Sequence, residues 1–502
     1  MSAEQPVSLE RVDFYKELDR RRKQGWMFLA ACMAAASGLG FVMSTFVTPI
    51  LLLLCGGLLK LALMLGVGGG PARAGLAAIR EFSARSNLSF QTLLDQLDQI
   101  HGVADALAYG SHLLTFLLPI AMPALVVCAL TWLVLRGLFL RTSSADLIQR
   151  YGARPARTDD LKERQLANVV DEVAIGSGAP SPKLFVIDSP TINATALGRT
   201  PEDGVLLVTR GLLDHLDRDE TEAIMARLFT GLVAGDLRVA GGIMAVFHTF
   251  GLFLTILDLP IRLSAWAAVG RLARLIVTPR PAAEAVTGVS ASLEDSTQAE
   301  SMPDFNRIFG GLPKPIRIIA QVLLFPWLLF SLVAMLYKIV LFLWSALFLS
   351  LPMRALWRNR CYWSDAQTVK LTRAPDSFAR ALKKVGAVEP SHGVEAHAWL
   401  FIGAPILDGR SFTSSVATTR GLPPATGARI NRLTAMGAGL QRTSTISWSW
   451  VAANPGRAAV IGFLCVLLAP LFAVLLVCVF WLTAVAMTAG LAAGLTVVNS
   501  LI

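Results

Sequence analysis

The chain has 502 residues, 54% of them hydrophobic and only 16% charged, with a formal net charge of +10. A soluble protein of this size carries roughly a quarter charged residues, so the composition argues against a water-soluble globular class and for an integral membrane protein. The excess positive charge gathers at the flanks of apolar runs, at Arg20 to Lys23 and around Arg136 and Arg141. That is the pattern of membrane flanks rather than of nucleic-acid binding.

Residues Ser8 to Gln24 read as a short basic amphipathic helix at the membrane surface. Trp26 to Val47 is the first spanning run, long enough for a hydrocarbon core of about 30 Å. The stretch from Pro49 to Gly69 is apolar but contains Lys60. A mid-bilayer charge costs about 2.5–3.5 kcal/mol, which leaves a re-entrant or interfacial element open. Pro71 to Ser111 is polar and helical in pattern. His112 to Leu140 is a second full span, followed by Arg141, Arg150, Arg154, Arg157, Lys162 and Arg164, a cluster that places its C-terminal end in the cytoplasm. With the N-terminus inside, an even number of crossings precedes Arg141, and Pro49–Gly69 is expected not to cross.

Thr158 to Gly178 has helical periodicity, and Lys183–Ile187 and Gly204–Val208 read as short strands. Leu216 to Arg238 is the stretch around which the chain is organised. Asp217 and Glu220 have the spacing of a capping box, and Ile224, Leu228, Gly231, Leu232 and Gly235 give one apolar or small face. Val239 to Leu259 is apolar and membrane-embedded in character, Pro281 to Pro313 is loop-like, and Ile318 to Leu351 reads as one tilted or kinked span, with a tight pair as the alternative. Ala458 to Ile502 is an apolar tail punctuated by Pro470 and the Gly490/Gly494 pair. Of the six cysteines, five lie inside apolar runs and read as small core hydrophobes.

The stretch from Glu222 to Asp236 resembles the active-site helix of the HtpX-like family of integral-membrane zinc metallopeptidases, which includes the CAAX prenyl proteases. That family reads roughly E-x-x-x-V-L-A-H-E-x-x-H-x-x-x-G-D. The frame persists here as Glu222, Ala226, Gly235 and Asp236. Arg227 stands at the first zinc histidine, Leu228 at the general-base glutamate and Gly231 at the second histidine. Upstream, Asn193 to Gly198 resembles the family's N-A-x-A-x-G edge strand, which lines the substrate groove in active members. Downstream, Arg358 to Thr372 resembles the block R-E-x-x-A-D-x-x-A-x-x-L-T, with Cys361 where the third zinc ligand belongs and Asp365 retained four residues later. Pro423 and Pro424 with Arg429 and Ile430 resemble H-P-P-x-x-x-R-I, the histidine falling on Leu422 or Pro423.

Zinc peptidase chemistry needs two imidazoles on one helical face, a third protein ligand, and a carboxylate that takes a proton from metal-bound water. Arginine carries no free lone pair at any working pH, leucine has no proton to exchange, and glycine has no side chain. Arg227 reads either as a fixed cation in the vacated metal position, paired with Asp236 or Asp365, or as an ordinary surface arginine. Cys361 reads as a buried hydrophobe or as a soft metal ligand. Asp236 and Asp365 are either remnants of the groups that orient zinc ligands or groups kept for folding. The segment His392 to His397 has its histidines five apart, so they do not share a helical face. His215 and His248 are isolated, and no phosphate-binding glycine loop or G-x-S-x-G elbow is present.

The expected fold is an α-helical integral membrane protein with a gluzincin-like α+β cytoplasmic domain built from two chain segments. The expected divisions are a basic N-terminal segment (1–25), an N-terminal membrane region (26–140), the first peptidase-like segment (141–238), inserted membrane helices and a loop (239–352), the second peptidase-like segment (353–445) and a C-terminal membrane region (446–502). The resemblance implies zinc, but its ligands are absent, so no catalytic residue, metal ligand or cofactor is expected. Arg227, Leu228, Gly231 and Cys361 are the degenerate site positions, and Asn193, Gly235, Asp236 and Asp365 are the retained frame. The expected function is a non-catalytic pseudopeptidase that binds a polypeptide or membrane-protein partner in regulation or quality control, in a bacterial inner membrane. The alternative is an active metalloendopeptidase with unconventional ligands such as Cys361, His215 or Asp236.

Overall fold

The computed structural model describes residues 14–97, 103–141, 148–258, 331–385 and 423–439, apart from isolated positions, and scattered residues of 478–500. Clustering divides the chain into two compact units, one of Met1–Cys32, Val134–Glu300 and Ser350–Leu464, the other of Met33–Leu133, Ser301–Leu349 and Cys465–Ile502.

The second unit is helical. Helix α1 (Phe14–Met64) runs unbroken through Pro49, followed by α2 (Gly69–Leu97) and α3 (Val103–Arg141). Among the described residues, four helical stretches are long and apolar enough to cross a membrane: Tyr15–Thr45, Val47–Met64, Thr115–Gly137 and Ala334–Thr372. Large apolar side chains along them remain exposed, Leu58 at 66%, Leu130 at 56% and Met335 at 47% among them, which is a liability in water and ordinary in lipid. Polar groups inside the unit are satisfied by neighbours. Thr45 Oγ1 lies 2.5 Å from the Tyr337 hydroxyl, Thr48 Oγ1 donates to the Ile120 carbonyl at 2.6 Å, and Trp344 Nε1 donates to Thr483 Oγ1 at 2.9 Å. The Gly490/Gly494 pair does pack closely: a methyl group at Gly490 would meet the Tyr337 ring and one at Gly494 would meet Pro49.

Two expectations change here. Pro49–Gly69 is not a separate re-entrant element over its helical part, because a proline whose ring is accommodated kinks a helix without having to end it. Nor are residues 14–24 a short separate helix, since they are the start of α1. Arg21 Nη1 donates to Asn359 Oδ1 at 3.4 Å and Asn359 Nδ2 donates to the Arg21 carbonyl at 2.8 Å, so this end of α1 is pinned to a later helix. The described part of the 318–351 run, from Ala334 on, is helical with a π-wound turn at Ser345–Leu349, while 318–330 lie outside the described residues. The expectations for 281–313, 392–401 and most of 458–477 lie outside the described residues.

The first unit holds the α+β domain. Its strands are β1 (Arg154–Pro155), β2 (Lys183–Ile187), β3 (Ala194–Leu197) and β4 (Val205–Thr209), in the order β1-β2-β4-β3. β2 and β4 are parallel, Lys183 opposite Val205, while β3 runs antiparallel to β4 with Ala194 opposite Val208. Helix α4 (Leu161–Ser177) precedes β2; α5 (Arg210–His215), α6 (Arg218–Val233) and α7 (Asp236–Asp258) follow β4. After the insertion come α8 (Ser350–Thr372), α9 (Pro375–Lys384) and α10 (Thr426–Ala435).

One core joins the two segments: Leu166, Val170, Leu206 and Phe229 from the first pack in the same cluster as Phe378, Leu382, Ile430 and Leu433 from the second. Neither segment alone could bury this surface, which is why the domain needs both. The capping box of α6 is formed as the spacing requires: Glu220 N–H donates to Asp217 Oδ1 at 2.8 Å and Asp217 N–H to Glu220 Oε2 at 3.1 Å. Replacing Asp217 with alanine should cost about 1 kcal/mol and lower the melting temperature in detergent; an unchanged melting temperature would contradict the cap's role.

Glu163, fully buried at the start of α4, accepts from Arg154 Nη2 at 2.7 Å, Arg210 Nη1 at 3.1 Å and the Arg157 N–H at 2.6 Å. The Arg154 hydrogen bonds hold its carboxyl below the ordinary value of 4.5 against the opposing effect of burial. A depressed folded-state value means the stabilisation is present above the unfolded value and is lost as pH falls through it and on through the folded one. A scan of melting temperature from pH 7 to about 3 should therefore fall less steeply in Glu163→Gln than in the parent; parallel curves would refute this.

Candidate functional site

The site is built where α6 ends and α7 begins, closed by α8 and α10. Gly235, at φ +73, makes the turn between the first two and sets Asp236 at the start of α7. A left-handed turn there suits glycine. Asp236 is 6% exposed and Asp365, on α8, is 2% exposed. Two carboxylates so buried persist as anions only with cations beside them.

Three arginines supply that charge. Arg227 Nε donates to Asp365 Oδ1 at 2.8 Å, and its Nη1 lies 3.8 Å from Asp236 Oδ2. Arg429, from α10, forks onto the same carboxylate, Nε to Oδ2 at 2.8 Å and Nη2 to Oδ1 at 2.7 Å. Arg360 Nε donates to Asp236 Oδ1 at 2.9 Å, and its Nη2 donates to the Ala234 carbonyl at 2.7 Å, satisfying a backbone oxygen at the end of α6. Ser364 Oγ completes the shell by donating to Asp236 Oδ2 at 2.7 Å. Burial pulls the Arg429 guanidinium down, but the Asp365 carboxylate outweighs that and holds it above its ordinary value.

Gly231 is part of the same arrangement. A Cβ built there would stand 2.9 Å from Arg227 Nη1 and 3.1 Å from Asp236 Oδ2. No side chain fits at 231 while the guanidinium of Arg227 stays where it is. Thr230 Oγ1, one residue earlier, donates to the Arg227 carbonyl at 3.0 Å and lies 3.2 Å from Thr368 Oγ1, which ties α6 to α8.

The other expected positions fall elsewhere. Leu228, 5% exposed, belongs to the domain core. Cys361, 8% exposed, sits one turn before Asp365 and within electrostatic reach of Arg227 and Arg429. Asn193 is fully buried at the start of β3, where its amide oxygen accepts from the Ala194 N–H at 2.9 Å and its backbone N–H donates to Thr209 Oγ1 at 2.9 Å. His215 Nδ1 is 2.9 Å from the Gly211 carbonyl, a local helical contact. The side chain of His248 and residues 392–397 lie outside the described residues. Among the described residues, no three His, Cys, Asp or Glu side chains converge in a way that could hold a metal ion.

Arg360 and Ser364 were not legible as site residues. Their signal was present, since both lie on the α8 block with Asp365, but nothing in that spacing says which carboxylate they serve. Removing Asp365 should be severe. Asp365→Ala leaves two buried guanidiniums without their shared anion, a loss of about 3–5 kcal/mol, and Asp365→Asn should recover only part of it. Thermal or detergent-unfolding scans would check this; a variant as stable as the parent would show that the pair contributes nothing.

Residues 160–305 match the profile of Peptidase family M48. Among similar curated proteins, a Protease HtpX homolog of Dictyoglomus thermophilum is 39% identical over 98 residues, 19% of this chain and 32% of the relative. One of Ligilactobacillus salivarius is 26% identical over 246 residues, 49% of this chain and 65% of the relative. Another, of Limosilactobacillus fermentum, is 26% identical over 313 residues, 62% of this chain and 86% of the relative. The chain thus spans less than two thirds of the first two of these relatives and most of the third.

Proposed function

Because the chain belongs to the HtpX-like members of peptidase family M48, we propose that it is a pseudopeptidase, a peptidase scaffold that binds a polypeptide or membrane-protein partner without cleaving it. The observation that carries this reading is Arg227. Its guanidinium lies between Asp365 at 2.8 Å and Asp236 at 3.8 Å, while Gly231 leaves it the space. These two positions are the ones at which the family places its zinc histidines.

A zinc ion does not fit these residues. Arg227 offers no lone pair and adds a positive charge where a cation would have to sit. Leu228 is packed in the core and Gly231 has no side chain, so Cys361 is the one soft donor left among the four positions. A catalytic zinc takes three protein ligands and a water. No hydrolytic step through a metal is derived for this chain.

What survives is the part that recognises a polypeptide. Among the described residues β3 ends the strand order, and an extended segment is the kind of partner that adds to a sheet edge by main-chain hydrogen bonds, with affinity that needs no reactive group. Substitution of the reactive positions alongside an intact frame supports a binding role in regulation or quality control. The arginines and lysine between Arg141 and Arg164 support a cytoplasmic domain on a bacterial inner membrane.

The test is reversion. The combined substitutions Arg227→His, Leu228→Glu, Gly231→His and Cys361→Glu should produce cleavage of casein that a chelator abolishes, while the native chain gives none under the same conditions. Chelator-sensitive cleavage by the native chain would overturn the reading, whether or not the reverted chain folds.

A further inference from the structure

A second cluster of cations lies apart from the Asp236/Asp365 network and, among the described residues, has few anions. It is centred on the ring of Tyr362, on α8. The Arg432 guanidinium carbon is 3.2 Å from the ring centroid and that of Arg21 is 5.2 Å from it. Arg21 is committed: its Nε donates to Glu17 Oε1 at 2.6 Å and its Nη1 donates to Gln24 Oε1 at 3.2 Å. Arg432 is not. Its Nη1 is buried and has no hydrogen-bond partner.

The neighbouring carboxylates are taken. Glu17 serves Arg21, and Asp19 pairs with Lys23 at 2.8 Å. Burial, and then the charge of Arg21, pull the Arg432 guanidinium below its ordinary value, the response of a cation that lacks an anion. Two turns before Tyr362 on α8, Arg354 Nε is likewise buried without a partner. A buried guanidinium nitrogen without a partner, on an arginine stacked with Arg21 over one ring, is a donor suited to a strong acceptor anion.

The location selects which anion. Trp26 is 70% exposed and Met27 59% exposed where α1 passes from its basic turn into its apolar run. Aromatic side chains in this setting mark the headgroup level of a bilayer, and basic segments beside a span draw acidic lipids. We propose that Arg432, stacked beside Arg21 on the Tyr362 ring, binds the phosphate headgroup of an anionic phospholipid. The headgroup oxygens accept from Arg432 Nη1, and its acyl chains tether it beside α1. This site is independent of whether the Arg227 position is inert.

The purified full chain in detergent, titrated with phosphatidylglycerol, should melt several degrees higher. Phosphatidylcholine or inorganic phosphate at the same concentration should leave the melting point unchanged. Arg432→Gln should weaken the phosphatidylglycerol effect roughly tenfold, as expected for one lost charge-assisted hydrogen bond. Arg218→Gln, which removes an exposed arginine paired with Glu172, should keep it. Equal protection by inorganic phosphate would overturn the lipid assignment. No shift in the parent, or an undiminished shift in Arg432→Gln, would overturn the site. Should the glutamine variant fail to fold, Arg432→Lys serves instead: it keeps the charge but not the fork, and an undiminished shift there is equally contrary.

Discussion

A guanidinium withdrawn from water has to find its anions within a few ångströms, and Arg227 does so at the junction of three helices. Asp365 on α8 and Asp236 on α7 receive it, and Arg429 and Arg360 approach the same two carboxylates from the other side. Three cations on two anions lock α6, the start of α7, α8 and α10 into one geometry. Breaking any one contact strands a buried charge, so the network specifies an arrangement more than it adds to stability. It also brings the two chain segments of the domain together at the end of α6.

Arg227 and Gly231 are therefore one substitution in physical terms. Arginine at the first position needs volume that a histidine at the second would take up, and glycine concedes it. Leu228, next to Arg227, is part of the domain core, which favours the helix packing. An exposed arginine on a relaxed helix would have needed no such compensation, and Arg227, with 12% side-chain exposure, is not exposed.

Much of the domain could be read from the chain. The pairing of two distant segments is what the family resemblance implies, whereas the capping box of Asp217 and Glu220 and the strands at 183–187 and 204–208 follow from spacing. Those are local patterns, with one side-chain requirement per position. The Arg227 contacts were harder, since two acidic residues stood at equal claim and the structure uses both. Arg360 and Arg429 could not be assigned at all, because partner choice across α6, α8 and α10 is set by tertiary packing. The continuity of α1 through Pro49 was misjudged for a different reason: a proline and a lysine in an apolar run weigh against a span individually, yet a long helix tolerates both when neighbours fill the gap.

On the proposed reading of this site, a fixed guanidinium, Arg227, is held between Asp365 and Asp236 with no metal beside it. The most direct test is elemental analysis of the native chain, purified without chelator from cells supplied with zinc. The account predicts zinc far below one equivalent per chain, with no change in melting temperature on adding a chelator. One tightly held equivalent, whose removal lowers the melting temperature, would contradict it.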